Sequence, residues 1–193
     1  MGALPSGYKS PSSNGVYATL QPGSNKFRIL SDIIVGWESW VGTKEEGNRK
    51  PVRARFDERR ELPEPTDPRD RVKFFWAMVV WNYRDEQIQI LQLTQRTIQK
   101  ALEELEANED WADLRNFDIT ITKQGEGLKT EYGVTPSPAK ALPIDIEQEY
   151  ALMSVNLDAL YIGGDPFETT LSDEADAEIT TRVKMNAAKK YSA

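Results

Sequence analysis

The chain has 193 residues, 39% apolar and 28% charged, with 5 Trp, 7 Tyr and 6 Phe. It can bury the core of one ordinary domain, and it is too aromatic for a disordered acidic chain. It has no Cys and no His, which excludes disulfides, thiolate nucleophiles, thiolate or imidazole metal sites and Ser-His-Asp catalysis. An enzyme here would have to work with carboxylates, Lys or Tyr, so the composition favours binding over catalysis, with no catalytic residue, cofactor or metal expected.

The net charge of −7 is unevenly spread. Residues 141–178 hold ten acids and no Lys or Arg, and residues 182–190 then add four cations. Residues 141–193 therefore carry −6, and residues 1–140 only −1.

Residues 1–25 are rich in Gly, Ser, Pro and Asn and read as a flexible arm without a secretory signal. No stretch approaches the roughly 18 apolar residues of a membrane span. The expected location is a bacterial or host-cell cytoplasm, with no membrane partner. The core is expected over residues 26–142, followed by an acidic C-terminal region over 143–193.

Within the core, Phe27 to Leu30 alternates as a strand, Val35 to Val41 is a second, and Gly42 to Asn48 turns. Arg49 to Phe56 resumes as extended, cation-rich chain. Three Pro between Pro63 and Pro68 force a loop. Val72 to Tyr83 is the strongest strand, aromatic and β-branched on both faces. A turn at Tyr83 to Gln87 returns it as Gln87 to Leu93. Thr94 is the expected N-cap of a helix carrying Ile98, Ala101, Leu102 and Leu105 to about residue 107. Phe117 to Lys123 alternates as a strand, Gln124 to Gly127 turns, and Leu128 to Val134 pairs back. The order is four strands, a helix and two strands, and a helix placed between the first strands and the last ones is the order of an OB-fold. The fold class expected is mainly β: an OB-fold-like Greek-key barrel with one core helix and an acidic, partly helical C-terminal region.

Nucleotide-binding loops are missing, since Gly125-Glu126-Gly127 lacks the neighbours of a dinucleotide fingerprint. Glu103, Glu104, Glu106, Glu109 and Asp110 read as a solvated helix end rather than a metal site. The informative stretch is basic: Arg49, Lys50, Arg53, Arg55, Arg59 and Arg60 against Asp57 and Glu58, a local +4. It lies between a strand bearing Trp37 and Trp40 and the aromatic strand 72–83. Cations that track phosphates beside flat rings that stack on bases suit single-stranded nucleic acid. Parity divides the strand: Phe74, Trp76, Met78 and Val80 should fill the interior, leaving Lys73, Phe75, Trp81 and Tyr83 as the ligand face. Trp81 fits equally well beneath the helix. Lys123, Lys129 and Tyr132 on the last hairpin could extend the groove.

Five stretches carry a family resemblance. They are Phe27-Arg28-Ile29-Leu30-Ser31 with Val35-Gly36-Trp37-Glu38, Lys73 to Tyr83, and Ile88 to Leu102 with Tyr132 to Pro138. Together they resemble the single-stranded-DNA-binding proteins of tailed bacteriophages over about residues 26–142. The resemblance implies an OB-fold that coats single-stranded DNA during phage replication, recombination and repair. It also implies an acidic C-terminal region that recruits replication proteins and competes with DNA. The structural zinc of some members cannot be carried over to a chain without Cys or His. Asp165-Pro166-Phe167 is either a partner motif or an ordinary turn. Two other readings stand beside DNA binding: a protein-interaction adaptor docking a replication or virion protein, and a carboxylate-based nuclease. Homo-oligomerisation and DNA against RNA are left open, since stacking and phosphate contacts serve both nucleic acids.

Overall fold

The computed structural model describes residues 15–111 and 113–167. In chain order its strands are β1 (Tyr17–Ala18), β2 (Gly23–Ile29), β3 (Ile34–Val41), β4 (Lys50–Arg55), β5 (Lys73–Asn82), β6 (Gln87–Leu93), β7 (Asp118–Gln124) and β8 (Glu131–Pro136). Helix α1 (Arg96–Glu106) lies between β6 and β7, and helix α2 (Ile144–Ala151) follows β8. Short 3-10 turns cover Phe56–Glu61 and Leu157–Ile162.

The sheet is organised around β5, the most apolar strand. β2 and β3 lie end to end along one edge of it, in registers Phe27↔Asn82 to Ile29↔Val80 and Ile34↔Ala77 to Glu38↔Lys73. Between them the ladder is bridged at Val79, whose carbonyl accepts from the Leu30 amide and whose amide donates to the Ser31 hydroxyl, both at 2.9 Å. β6 pairs with the other edge of β5, β7 with β2, β8 with β7 and β4 with β3, all antiparallel. β1 adds parallel to β6. The order is β1-β6-β5-β2-β7-β8, with β3 and β4 branching from β5. This is a mixed, open, eight-stranded sheet. The closed barrel expected from the element order is not drawn by these pairings, because β8 bonds only to β7 and β1 only to β6.

Alternation along the strands creates two cores. On one face Phe27, Ile29, Trp76, Met78, Val80, Leu91, Leu93, Ile119 and Ile121 pack against Ile98 and Leu102 of α1. The buried Gln99 side chain ties α1 to the sheet by donating to the carbonyls of Leu93 (2.9 Å) and Phe74 (3.1 Å). The helix begins one residue later than expected. Gln95 is its N-cap, without a side-chain cap bond, and Thr94 donates its amide to Gln95 Oε1.

On the second face, the apolar stretch Glu147 to Tyr161, which from sequence could pack on the core or bind a partner, packs on the sheet. Phe75, Ala77, Val79, Ile88 and Ile90 are buried beneath Leu157 and Leu160, with Tyr150, Val155, Tyr161 and Phe167 around them. The Tyr161 hydroxyl donates to the Val35 carbonyl at 2.7 Å. Gly36 makes room for this packing, since a Cβ there would collide with the Ala54 carbonyl and press on Phe75 and Tyr161. Residues 144–167 are thus part of the folded body, and they carry five of the ten acids, Asp145, Glu147, Glu149, Asp158 and Asp165, with no cation. Asp165-Pro166-Phe167 is a turn: Asp165 Oδ1 accepts from the Phe167 amide, and Pro166 accepts from the Asn156 amide.

At the other end, residues 17–18 and 23–25 of the expected arm are strand. The rest of that arm, residues 1–14, and residues 168–193 of the acidic region lie outside the described residues. No helix among the described residues is long and apolar enough to cross a membrane.

Candidate nucleic-acid interface

An aromatic cluster forms where β3, β5 and the 56–61 turn meet. The register Trp37↔Phe74 sets these two rings side by side, with centroids 5.0 Å apart. Phe56, just beyond β4, stacks on Trp37 at 6.4 Å and meets Phe74 edge-on at 5.7 Å. The Trp37 indole N–H donates to the Phe56 carbonyl at 2.9 Å, which fixes the Trp37 ring. Phe56 is 61% exposed, so this side of the cluster is open to solvent. The Arg59 guanidinium sits 4.5 Å from the Trp37 ring centre. Aromatic faces held rigid beside a cation can stack flat, electron-rich rings.

Phe56 was missed by the sequence reading, and Phe74 was assigned wholly to the interior. The available signal for Phe56 was an aromatic residue inside the basic run, followed by acids that start a turn.

The basic run is less positive than its composition. Arg49 pairs with Asp70 at 2.7 Å and lies over the Trp40 ring at 4.8 Å. Arg53 pairs with Glu38 at 2.8 Å, with side chains only 8% and 6% exposed. It also donates to Gln92 and covers Phe75. Arg55 pairs with Asp158 at 3.4 Å and stacks on Tyr161 at 4.6 Å. The Asp158 hydrogen bond, followed by its charge, raises the pKa of Arg55. Six cations thus face five acids, Asp57 and Glu58 within the run and Glu38, Asp70 and Asp158 outside it. Lys50, Arg59 and Arg60 form no ion pair among the described residues, nor does Lys73, which pairs across the ladder with Glu38 and so stands on the opposite face of β5 from Phe74 and Trp37.

The remaining candidates do not join this cluster. Phe75 is fully buried under the C-terminal segment and cannot meet a ligand, a correction to its place on the ligand face. Trp81 packs on the same second core, not under α1. Tyr83 is at the far end of β5, its hydroxyl donating to Asp118 at 2.9 Å. Burial, followed by that hydrogen bond, pushes its pKa up to about 12. Lys123 and Tyr132 are paired across β7 and β8, where Lys123 faces Gly23 of β2. Lys123 donates to the Leu20 carbonyl, Tyr132 packs against the first core, and Lys129 lies in the exposed turn between the strands. This hairpin is beyond the Asn82 end of β5, whereas Trp37 is at the Phe74 end, about 26 Å away along the strand.

No group of three or more acids capable of holding a metal ion occurs among the described residues. No protein-family model, curated protein or solved structure matches this chain.

Proposed function

We propose that this protein is a non-enzymatic binder of single-stranded DNA with little sequence preference, working in phage replication, recombination and repair. One observation carries the reading: the exposed Phe56 ring held against Trp37 and Phe74, with Arg59 over the indole. Stacking contributes about 1–3 kcal/mol per base whatever the base, and the unpaired Lys50 and Arg60 supply charge for phosphates. The chain path supports an OB-type scaffold for this site, because β2 lies between β5 and β7 and helix α1 joins β6 to β7.

The test is a titration of the full-length protein with labelled oligo(dT) and oligo(U) over a range of salt, read by Trp fluorescence. Each phosphate contact contributes about −0.7 to the slope of log affinity against log salt. Flat titrations at low salt overturn the reading. The adaptor reading draws on the exposed Ile144, Leu152 and Ile162 of the acidic C-terminal segment, and it requires a stable protein partner in place of DNA binding.

A further inference from the structure

We infer that Lys26 and Lys140, held with the buried Arg28 around Asp118, form a second contact for strand phosphates at the opposite end of β5 from the Trp37 cluster. This rests on the single-strand reading above. Asp118 is fully buried, and its Oδ1 accepts from Arg28 Nε at 2.8 Å and from the Tyr83 hydroxyl at 2.9 Å. Its Oδ2 lies 3.0 Å from Lys26 Nζ and 2.7 Å from Lys140 Nζ.

One carboxylate therefore faces three cations. The two ammonium groups share one oxygen, so they lie within about 6 Å of each other and repel. Both also approach the Tyr83 ring, at 4.6 Å and 5.7 Å. Asp145 is the other acid whose charge acts on Tyr83, and with it counted one positive charge remains in surplus. Arg28 is 1% exposed, and its Nη2 has no hydrogen-bond partner.

The structure of Asp118 does not by itself call for this surplus, because one or two of the donors would neutralise it. A phosphodiester supplies the missing single charge, with two free oxygens to bridge two ammonium groups. The lysines are open to it, being 42% and 47% exposed while anchored on a buried acid. Asp118 and Arg28 share the Trp81 face of β5, opposite the Phe74 face, so a strand touching both stations passes round an edge of the sheet as well as along about 26 Å of it.

The experiment compares the full-length protein with K26Q/K140Q in oligo(dT) titrations at several salt concentrations. The expected result is a salt slope shallower by about 1.4, about 0.7 for each lost contact, with the slope kept in K26R/K140R. Should the double variant fail to fold, K26Q and K140Q singly leave Asp118 with two cations, and each is expected to lower the slope by about 0.7. Wild-type binding with unchanged slopes in folded variants overturns this second station and leaves the Trp37 cluster standing. No binding by the wild-type protein removes both.

Discussion

Arg53 and Glu38 form an ion pair inside the protein: their side chains meet at 2.8 Å, and Trp40 donates its indole N–H to the second Glu38 oxygen at 2.9 Å. Arg60, seven residues further along the same basic run, has no acid partner among the described residues. The two arginines are equivalent in the sequence and opposite in role.

Arg53→Gln leaves the Glu38 carboxylate buried without its counter-charge, which costs about 3–5 kcal/mol. Denaturant unfolding should show that loss, while the salt slope for oligo(dT) stays as in the wild type. Arg60→Gln should do the reverse, changing stability by less than about 0.5 kcal/mol and flattening the slope by about 0.7.

Phe56→Ala removes the exposed member of the aromatic cluster. Because the ring is mostly solvated, the melting temperature should move little. Affinity for oligo(dT) should fall by about 1–3 kcal/mol, the range for one stacked base. An unchanged affinity in fluorescence titration would place the bases elsewhere.

Asp118 links stability to pH. Burial would raise its carboxyl, but hydrogen bonds from Lys140, Lys26, Arg28 and Tyr83 outweigh this and hold it at about 2, below the ordinary 3.8. A depressed folded-state pKa stabilises the protein above the unfolded value and is lost as the pH falls through the folded one. That contribution, of order 2 kcal/mol, should be intact at pH 5 and disappear between about pH 4 and 2. Urea unfolding as a function of pH should show the step, and Asp118→Asn should abolish it while lowering stability at neutral pH.

Removing the C-terminal region tests how far the second core depends on it. A chain ending at residue 142 loses Leu157, Leu160 and Tyr161 and exposes Phe75, Val79 and Ile90. It should melt far lower or aggregate. Leu160→Ala in the full chain should cost about 2–5 kcal/mol, the range for a buried leucine.

Much of the strand content was legible. β5 and β6 sit within a residue or two of the expected bounds, because aromatic and β-branched runs with turn residues between them have few alternatives. α1 was also legible from the spacing of Ile98 and Leu102. The site was legible only in part. Trp37 and Arg59 were expected to serve one surface and do lie together. Tyr83, Lys123 and Lys129 were expected there too, yet register places them at the other end of the sheet.

The sequence alone determined the division of β5 into two sets of side chains, since successive residues in a strand point to opposite faces whatever surrounds them. It also determined the absence of thiol and imidazole chemistry, and the uneven charge. That neither face of β5 meets water was decided only by the tertiary structure. Leu157 and Leu160 come from more than seventy residues further along the chain to cover Phe75, Ala77 and Val79. Charge followed the same rule. The segment that looked like an acidic tail contains a docked, apolar stretch holding half of its acids, and one of these, Asp158, pairs with Arg55. The basic run looked like a local +4, but most of it is balanced by Glu38, Asp70 and Asp158. Such pairings depend on distance in space, and no count along the chain contains it.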